Sequence, residues 1–492
     1  MNRSRLRPVS GLGVVAVLVA LLGDPAPASA QDAKAGIAAS IDRRAAQYGV
    51  LAQQIWDLAE VGYLEEHSTK LLQDQLRAAG FTIESGVAGM PTAFIASWGR
   101  GGPVVGILAE FDALPGITQD REPERKERPD MAAGHACGHH LFGTGSVAAA
   151  IAVREWLEAS GTRGTVRLYG TPAEEGGGGK VYMVRAGLFD DVDAVLHWHP
   201  GDRNTASPWA SLANKSAKFR FHGVSAHAAG APERGRSALD AVEAMDYMVN
   251  MMREHVPQET RIHYVITSGG AAPNVVPDFA EAFYYVRNPD PKKVLEIFDR
   301  VVKAAEGAAL GTGTRMEYEV IHGIYAVLPN LALAEAMQAN LENVGGVRYD
   351  ERERAFAQSI RHSLPADAPA VEAAATVLPF RESIDAGGST DVADVSWVVP
   401  TAGLEAATWV PGTAAHSWQA IAAGGTSIGN KGMLVAARTL ALTAYDLFTR
   451  PELRAAATAE QTKRVGPDFK YQSLVGDKAP PLDYRKPARS GG

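Results

Sequence analysis

The 492-residue chain contains a single cysteine, Cys137. No internal disulfide is therefore possible, and the paired CxxC knuckles of structural zinc sites are absent. Beyond residue 30 no apolar stretch is long enough to span a bilayer. No basic patch interleaved with aromatics marks a nucleic-acid partner, and no internal repeat or heptad recurs. Charged residues at 21% and apolar residues at 46% are ordinary for a globular protein. The length exceeds what one hydrophobic core serves, so two domains are expected.

The first thirty residues stand apart. Arg3, Arg5 and Arg7 precede the apolar run "GLGVVAVLVALL" (11–22), and "ASA" closes the segment at 28–30. This is the pattern of a secretory signal peptide cleaved after Ala30, which sends the mature protein to the periplasm or the medium. The run is short for a membrane span and has no cysteine for a lipid anchor, so no stable membrane attachment is expected. Removing three arginines and Asp24 changes the net charge from −8 to −8 − 2 = −10. A lone thiol in an oxidising compartment is vulnerable; a bound metal would hold it as a protected thiolate.

Apolar spacing predicts helices over 42–60, 68–80 and 141–160. "PVVGILAEFDALPG" (103–116) reads as a buried strand that runs into acids and a Pro-Gly break, and 164–179 and 193–200 repeat that grammar. Polar clusters that follow strands mark the ligand end of an open α/β sheet. Residues 211–324 read β-α-β-β-α-β, the ferredoxin-like split unit. The expected fold is α/β: a catalytic domain (31–210 and 325–450) with a mostly parallel sheet flanked by helices, and a small inserted domain at 211–324. Residues 451–492 show no periodicity and read as a surface-bound or loose tail.

The chemistry-bearing residues sit in those strand-end loops. In "GHACGHH" (134–140), Cys137 and His139 flank a glycine, so thiolate and imidazole can converge on one point. "PAEEGGGG" places Glu174 beside Glu175, where one carboxylate can ligate a metal while the other handles the proton of a water. His197 and His199 in "HWHP" are assigned to opposite faces of a strand, with His199, the last residue before Pro200, facing the cluster. His416 stands alone in "PGTAAHSW". Taken singly, each has a bland reading as a core or surface residue. Together they favour a catalytic metal site over a thiol nucleophile, which has no use for a carboxylate pair.

With "HACGHH", "GTPAEEGGGGKVYMVRAGLFDDVDAVLHWHPGD", "GVSAHAAGAPERGRSALDAV", "APNVVPD" and "STDVADVSW", the chain resembles the dinuclear metallo-aminoacylase and carboxypeptidase family from about residue 35 to 450. Within it, the resemblance is to amidohydrolases that cleave N-aroyl amino acids such as p-aminobenzoyl-glutamate. It implies two divalent metals, Zn²⁺ or Mn²⁺, held by Cys137, His139, Glu175, His199 and His416, with Glu174 as general base. It also implies that the inserted domain is a dimerisation lid of a homodimer. There His227 polarises the scissile carbonyl of the other subunit's substrate, and Asn274 and Arg287 grip the substrate carboxylate. Relatives place Asp or Asn where this chain has His140, which bears on the hydrogen bonds behind the ligands. A dipeptidase or general aminoacylase is the alternative within enzymes. A non-catalytic binding protein or partner subunit is the alternative outside them.

Overall fold

A computed structural model of the chain describes Met1, residues 29–382 and residues 388–485. The signal-peptide reading falls almost wholly outside these residues. Among the described residues no helix is long and apolar enough to cross a membrane.

The N-terminal helical segment starts earlier than its apolar spacing suggests and breaks at Arg44 into Ala30–Arg43 and Ala45–Leu58, followed by Glu66–Ala78. Strands β1 (Thr82–Ser85), β2 (Phe94–Arg100), β3 (Val104–Ala109), the two-residue pair β4 (Leu114–Pro115) and β5 (Ala133–Gly134), β6 (Gly164–Gly170) and β7 (Ala194–Gly201) come next. Then follow β8 (Ala213–His222), β9 (Arg261–Ser268), β10 (Phe279–Asn288) and β11 (Arg315–Ile324), and finally β12 (Thr401–Ala407).

Two separate sheets result. The larger has the order β1-β2-β6-β3-β7-β12. Its β6, β3, β7 and β12 run parallel, while β2 pairs antiparallel with both β1 and β6. A parallel sheet needs cover on both faces, and helices His139–Ser160 and Ser427–Thr449 pack on it within one apolar core. The smaller sheet, β11-β8-β10-β9, is wholly antiparallel. Its helices Ala238–Met252 and Pro291–Thr312 complete the split β-α-β-β-α-β order around a second core that includes Phe219, Phe221, Met245, Tyr284 and Phe298.

The C-terminal region departs from expectation. Residues 451–465 form a helix, Pro451–Val465, that buries Leu453 and Ala457. Its apolar positions are mostly alanine, too weak a stripe to register as periodicity. Residues 466–485 take the surface-bound of the two expected forms: Phe469 and Tyr471 pack against Tyr325 and Trp397.

Candidate metal centre and its surroundings

Every parallel strand of the large sheet delivers a polar group at its C-terminal end, where such sheets bind ligands. Glu110 and Asp112 follow β3, Glu174 and Glu175 follow β6, His199 lies two residues before the end of β7, and His416 lies in the loop after β12. Cys137 and His139 sit at the start of the helix that begins at His139. The glycine between them is doubly required. Gly138 has φ +74°, and a Cβ there would lie 2.7 Å from Pro200 Cβ.

The donor atoms of Cys137, His139 and His199 lie within 4.8 Å of one another, as do those of Cys137, Glu175 and His416, and those of Glu110, His139 and Glu174. Any of these groups could hold a metal ion, and Cys137 is common to the first two. All five residues expected as ligands are thus brought together. The imidazoles are also turned for the task. His139 Nδ1 faces Asp112 Oδ1 at 2.9 Å, and its buried Nε2 is left toward the cluster, 3.2 Å from Glu110 Oε2. His199 Nδ1 lies 2.7 Å from the Pro200 carbonyl, leaving Nε2 at 3.4 Å from Cys137 Sγ. His416 Nε2 is 3.1 Å from Glu175 Oε1. Fixing one ring nitrogen so that the other can ligate is the usual arrangement behind a metal.

Two details correct the sequence reading. Positions two apart on a strand share a face, so His197 does not point away from His199; both line one cavity of about 480 Å³. The strand also runs on through Pro200 to Gly201. His140, for its part, turns from the cluster: its Nε2 faces the Gly424 carbonyl at 3.1 Å. Asp112 orients His139 instead.

The adjacent glutamates have opposite electrostatics. Burial, reinforced by the carboxylates of Glu110, Glu175 and Asp391, pushes Glu174 well above the usual carboxylate range. Glu175 is held below its usual value despite burial, chiefly by its contact with His416 and by the charge of His139. A carboxylate pair driven apart in this way divides naturally into ligand and proton carrier. Burial likewise pushes the Cys137 thiol far up, so a thiolate there needs a cation beside it.

Local backbone is bent to serve the site. Ala173 (φ 59°) and His416 (φ 61°) are left-handed although neither is glycine, at ~1–3 kcal/mol each. Glu65 Oε1 accepts from the Ala173 amide at 2.9 Å and the Ala136 carbonyl from the His416 amide at 2.9 Å, which holds both in place.

Sequence reasoning passes over a buried charge cluster behind the candidate ligands. Lys180, itself 0% exposed, bridges Glu110 (2.6 Å) and Asp391 (2.7 Å). The signal is present in "LAEFD", where two acids at i and i+2 end a buried strand. Glu110 Oε2 in turn lies 3.2 Å from His139 Nε2.

A second cavity, of about 360 Å³, opens on Glu174 and Glu175 and extends to Arg287 and His322 of the smaller domain. Arg287 is thus where a substrate-binding role would place it. His227 and Asn274 are not. They neighbour each other, with the Ala228 amide bonded to the Asn274 carbonyl, and both are exposed. Neither lines the cavity at Glu174.

The sequence profile of peptidase family M20/M25/M40 matches residues 106–417, more than half of the chain. One of the subunits of p-aminobenzoyl-glutamate hydrolase from Escherichia coli K12 is 43% identical over 430 residues, covering 82% of this chain and 89% of that protein. The mouse Xaa-Arg dipeptidase is 31% identical over 84% of this chain and 88% of its own length. Among solved structures, a Bacillus subtilis protein described as a dinuclear metal-binding peptidase of the M20 family superimposes with a TM-score of 0.57. That match is at 18% identity over 83% of this chain and 99% of that one, and speaks for the fold. On this profile match and these full-length relatives, the chain belongs to peptidase family M20/M25/M40 and is a hydrolase acting on amide bonds.

Proposed function

We propose that the protein is an exported, metal-dependent amidohydrolase that splits N-aroyl amino acids of the p-aminobenzoyl-glutamate kind. The observation that carries this is the placement of the two adjacent glutamates: Glu175 is tied to His416 within a donor cluster, while Glu174 faces the cavity.

The donor set fits a pair of divalent cations. Cys137, His139 and His199 would hold one, Cys137, Glu175 and His416 the other, and the buried Nε2 of His139 would offer its lone pair to such an ion. Thiolate softness favours Zn²⁺, and the nitrogen and oxygen donors also suit Mn²⁺. When bound, the metals supply acidification of water and polarisation of the scissile carbonyl. The remaining steps belong to the chain. Glu174, which lines the cavity, takes the proton of the attacking water and returns it to the leaving amine. Arg287 lies on the same cavity and pairs with the free carboxylate of the amino-acid part.

His227 and Asn274 are exposed and away from this cavity, so the reading includes a second chain that brings them to it. We favour a two-fold homodimer through the smaller domain, in which His227 of each copy meets the carbonyl oxygen in the other's site. The Escherichia coli relative is named as one of two kinds of subunit, which makes a paralogous subunit the competing partner. Export rests on the Arg3–Ala30 segment alone. The likeness to an Xaa-Arg dipeptidase favours dipeptides as the competing substrate class, whereas guanidinium groups around the cavity favour anionic over cationic leaving residues.

Metal-loaded protein should be assayed on p-aminobenzoyl-glutamate, dipeptides with C-terminal arginine, and N-acetyl amino acids. A kcat/KM highest for p-aminobenzoyl-glutamate is expected. Preference for the arginine dipeptides would transfer the reading to a dipeptidase, and absence of any turnover would leave a binding or partner subunit.

A further inference from the structure

Residues 466–485, which follow the helix Pro451–Val465, are bound to both domains. Tyr471 donates its hydroxyl to Asp394 Oδ1 (2.7 Å), and the Gln472 carbonyl accepts from Tyr325 (2.8 Å). Leu474 is buried against Gly323 of β11, where a Cβ would lie 2.7 Å away. Arg185 of the large domain donates to the carbonyls of Gly476 and Lys478, each at 2.7 Å. Lys478 crosses to the small domain, pairing with Glu319 at 2.7 Å and donating to the Val320 carbonyl at 2.8 Å. The strap then reaches the catalytic loop. Tyr484 and Arg485 both donate to the Glu175 carbonyl, at 3.1 and 2.6 Å, and Tyr484 stands edge-on to Tyr63 at 5.6 Å.

Arg485 therefore forms part of the wall of the cavity that holds Glu174 and Arg287. Its guanidinium lies over the Tyr484 ring at 4.7 Å, and among the described residues its Nε is buried with no hydrogen-bond partner. Arg287 Nε is buried and unpartnered in the same way. Two guanidinium groups with unsatisfied buried donors at one cavity are a costly arrangement without an anion to receive them. A guanidinium fork matches a carboxylate, and Arg287 is already assigned to the carboxylate next to the scissile amide.

We propose that Arg485, delivered by the C-terminal strap, is a specificity-determining residue that binds a second carboxylate, on the side chain of the substrate's amino-acid part. This rests on the amidohydrolase reading above and adds that acidic leaving residues are selected by the C-terminus.

The test compares full-length wild type, Arg485→Ala and Arg485→Gln on p-aminobenzoyl-glutamate and on p-aminobenzoyl-glutamine. Arg485→Gln keeps a donor for the Glu175 carbonyl and removes the charge. The quantity read is the ratio of kcat/KM for the glutamate over the glutamine substrate. Both variants should lower that ratio by roughly 10- to 100-fold, the scale of one or two charge-assisted hydrogen bonds. An unchanged ratio, with both substrates losing equally, would reduce Arg485 to a support for the Glu175 loop and overturn the proposal. A wild type that prefers the glutamine substrate would overturn it as well. If wild type hydrolyses neither, the amidohydrolase reading fails on its own, and titration calorimetry with L-glutamate and L-glutamine decides the point. Glutamate preference present in wild type and lost in both variants supports the site, and identical binding in all three proteins rejects it.

Discussion

Asp394 anchors the root of the C-terminal strap, and its titration can be worked through quantitatively. Its carboxyl is 0% exposed and accepts from the Tyr325 amide at 3.0 Å and the Tyr471 hydroxyl at 2.7 Å. Burial pushes it up to about 7, whereas the same group in an unfolded chain titrates at about 3.9. Between those two values the folded protein keeps a proton that the unfolded chain has released. Stability is therefore lost as pH rises from about 4 to about 7, and the effect is complete above that window. About 3 pH units at ~1.4 kcal/mol each set an upper bound of ~4 kcal/mol. Asp394→Asn keeps a neutral group in place at every pH and removes this loss. Relative to wild type, the variant should gain up to ~3 kcal/mol between pH 5 and pH 8, the part of the window that lies above pH 5, since all other titrations cancel in the comparison. Scanning calorimetry of both proteins at pH 5, 6.5 and 8 reads it as a melting-temperature difference that grows by a few degrees toward high pH. A difference that stays constant with pH would refute the reasoning.

Glu174→Gln should bind metal and melt like wild type yet lose about 10²- to 10⁴-fold in turnover, the scale of a general base. Metal analysis alongside the assay separates this from Glu175→Gln, which should shed metal; the reverse pattern would exchange the two roles. His227→Ala and Glu174→Gln should each be nearly inactive alone. After unfolding and joint reassembly, half the dimers are mixed and carry one competent site of two, so about a quarter of wild-type activity should return. Recovery near zero with subunit exchange verified by mass spectrometry would place His227 outside a shared site.

The sequence is most informative where chemistry is concentrated in short loops. Cys137, His139, Glu174, Glu175, His199 and His416 can be named because a lone cysteine, paired acids and isolated histidines are conspicuous at strand ends, and the fold does bring their donor atoms together. The β-α-β-β-α-β order from β8 to β11 is legible from period alone. What escapes is set by long-range packing. Lys180, Glu110 and Asp391 meet across more than 200 residues of chain, and a buried lysine has no sequence mark that tells it from a surface one. The opposite-face assignment of His197 and His199 fails on strand geometry, which alone suffices to decide it. Tyr484 and Arg485 read as part of a surface-bound or loose tail because their partners, Tyr63 and the Glu175 carbonyl, lie more than 300 residues away.

Whether a metal pair held by Cys137, His139, Glu175, His199 and His416 drives amide hydrolysis is decided on a single sample. Metal content and p-aminobenzoyl-glutamate turnover are followed together through chelation and reloading with Zn²⁺ or Mn²⁺. Activity should vanish with the metal and return in proportion to metal bound, saturating at about two ions per chain. Full turnover by protein stripped of metal would contradict the metal-pair mechanism.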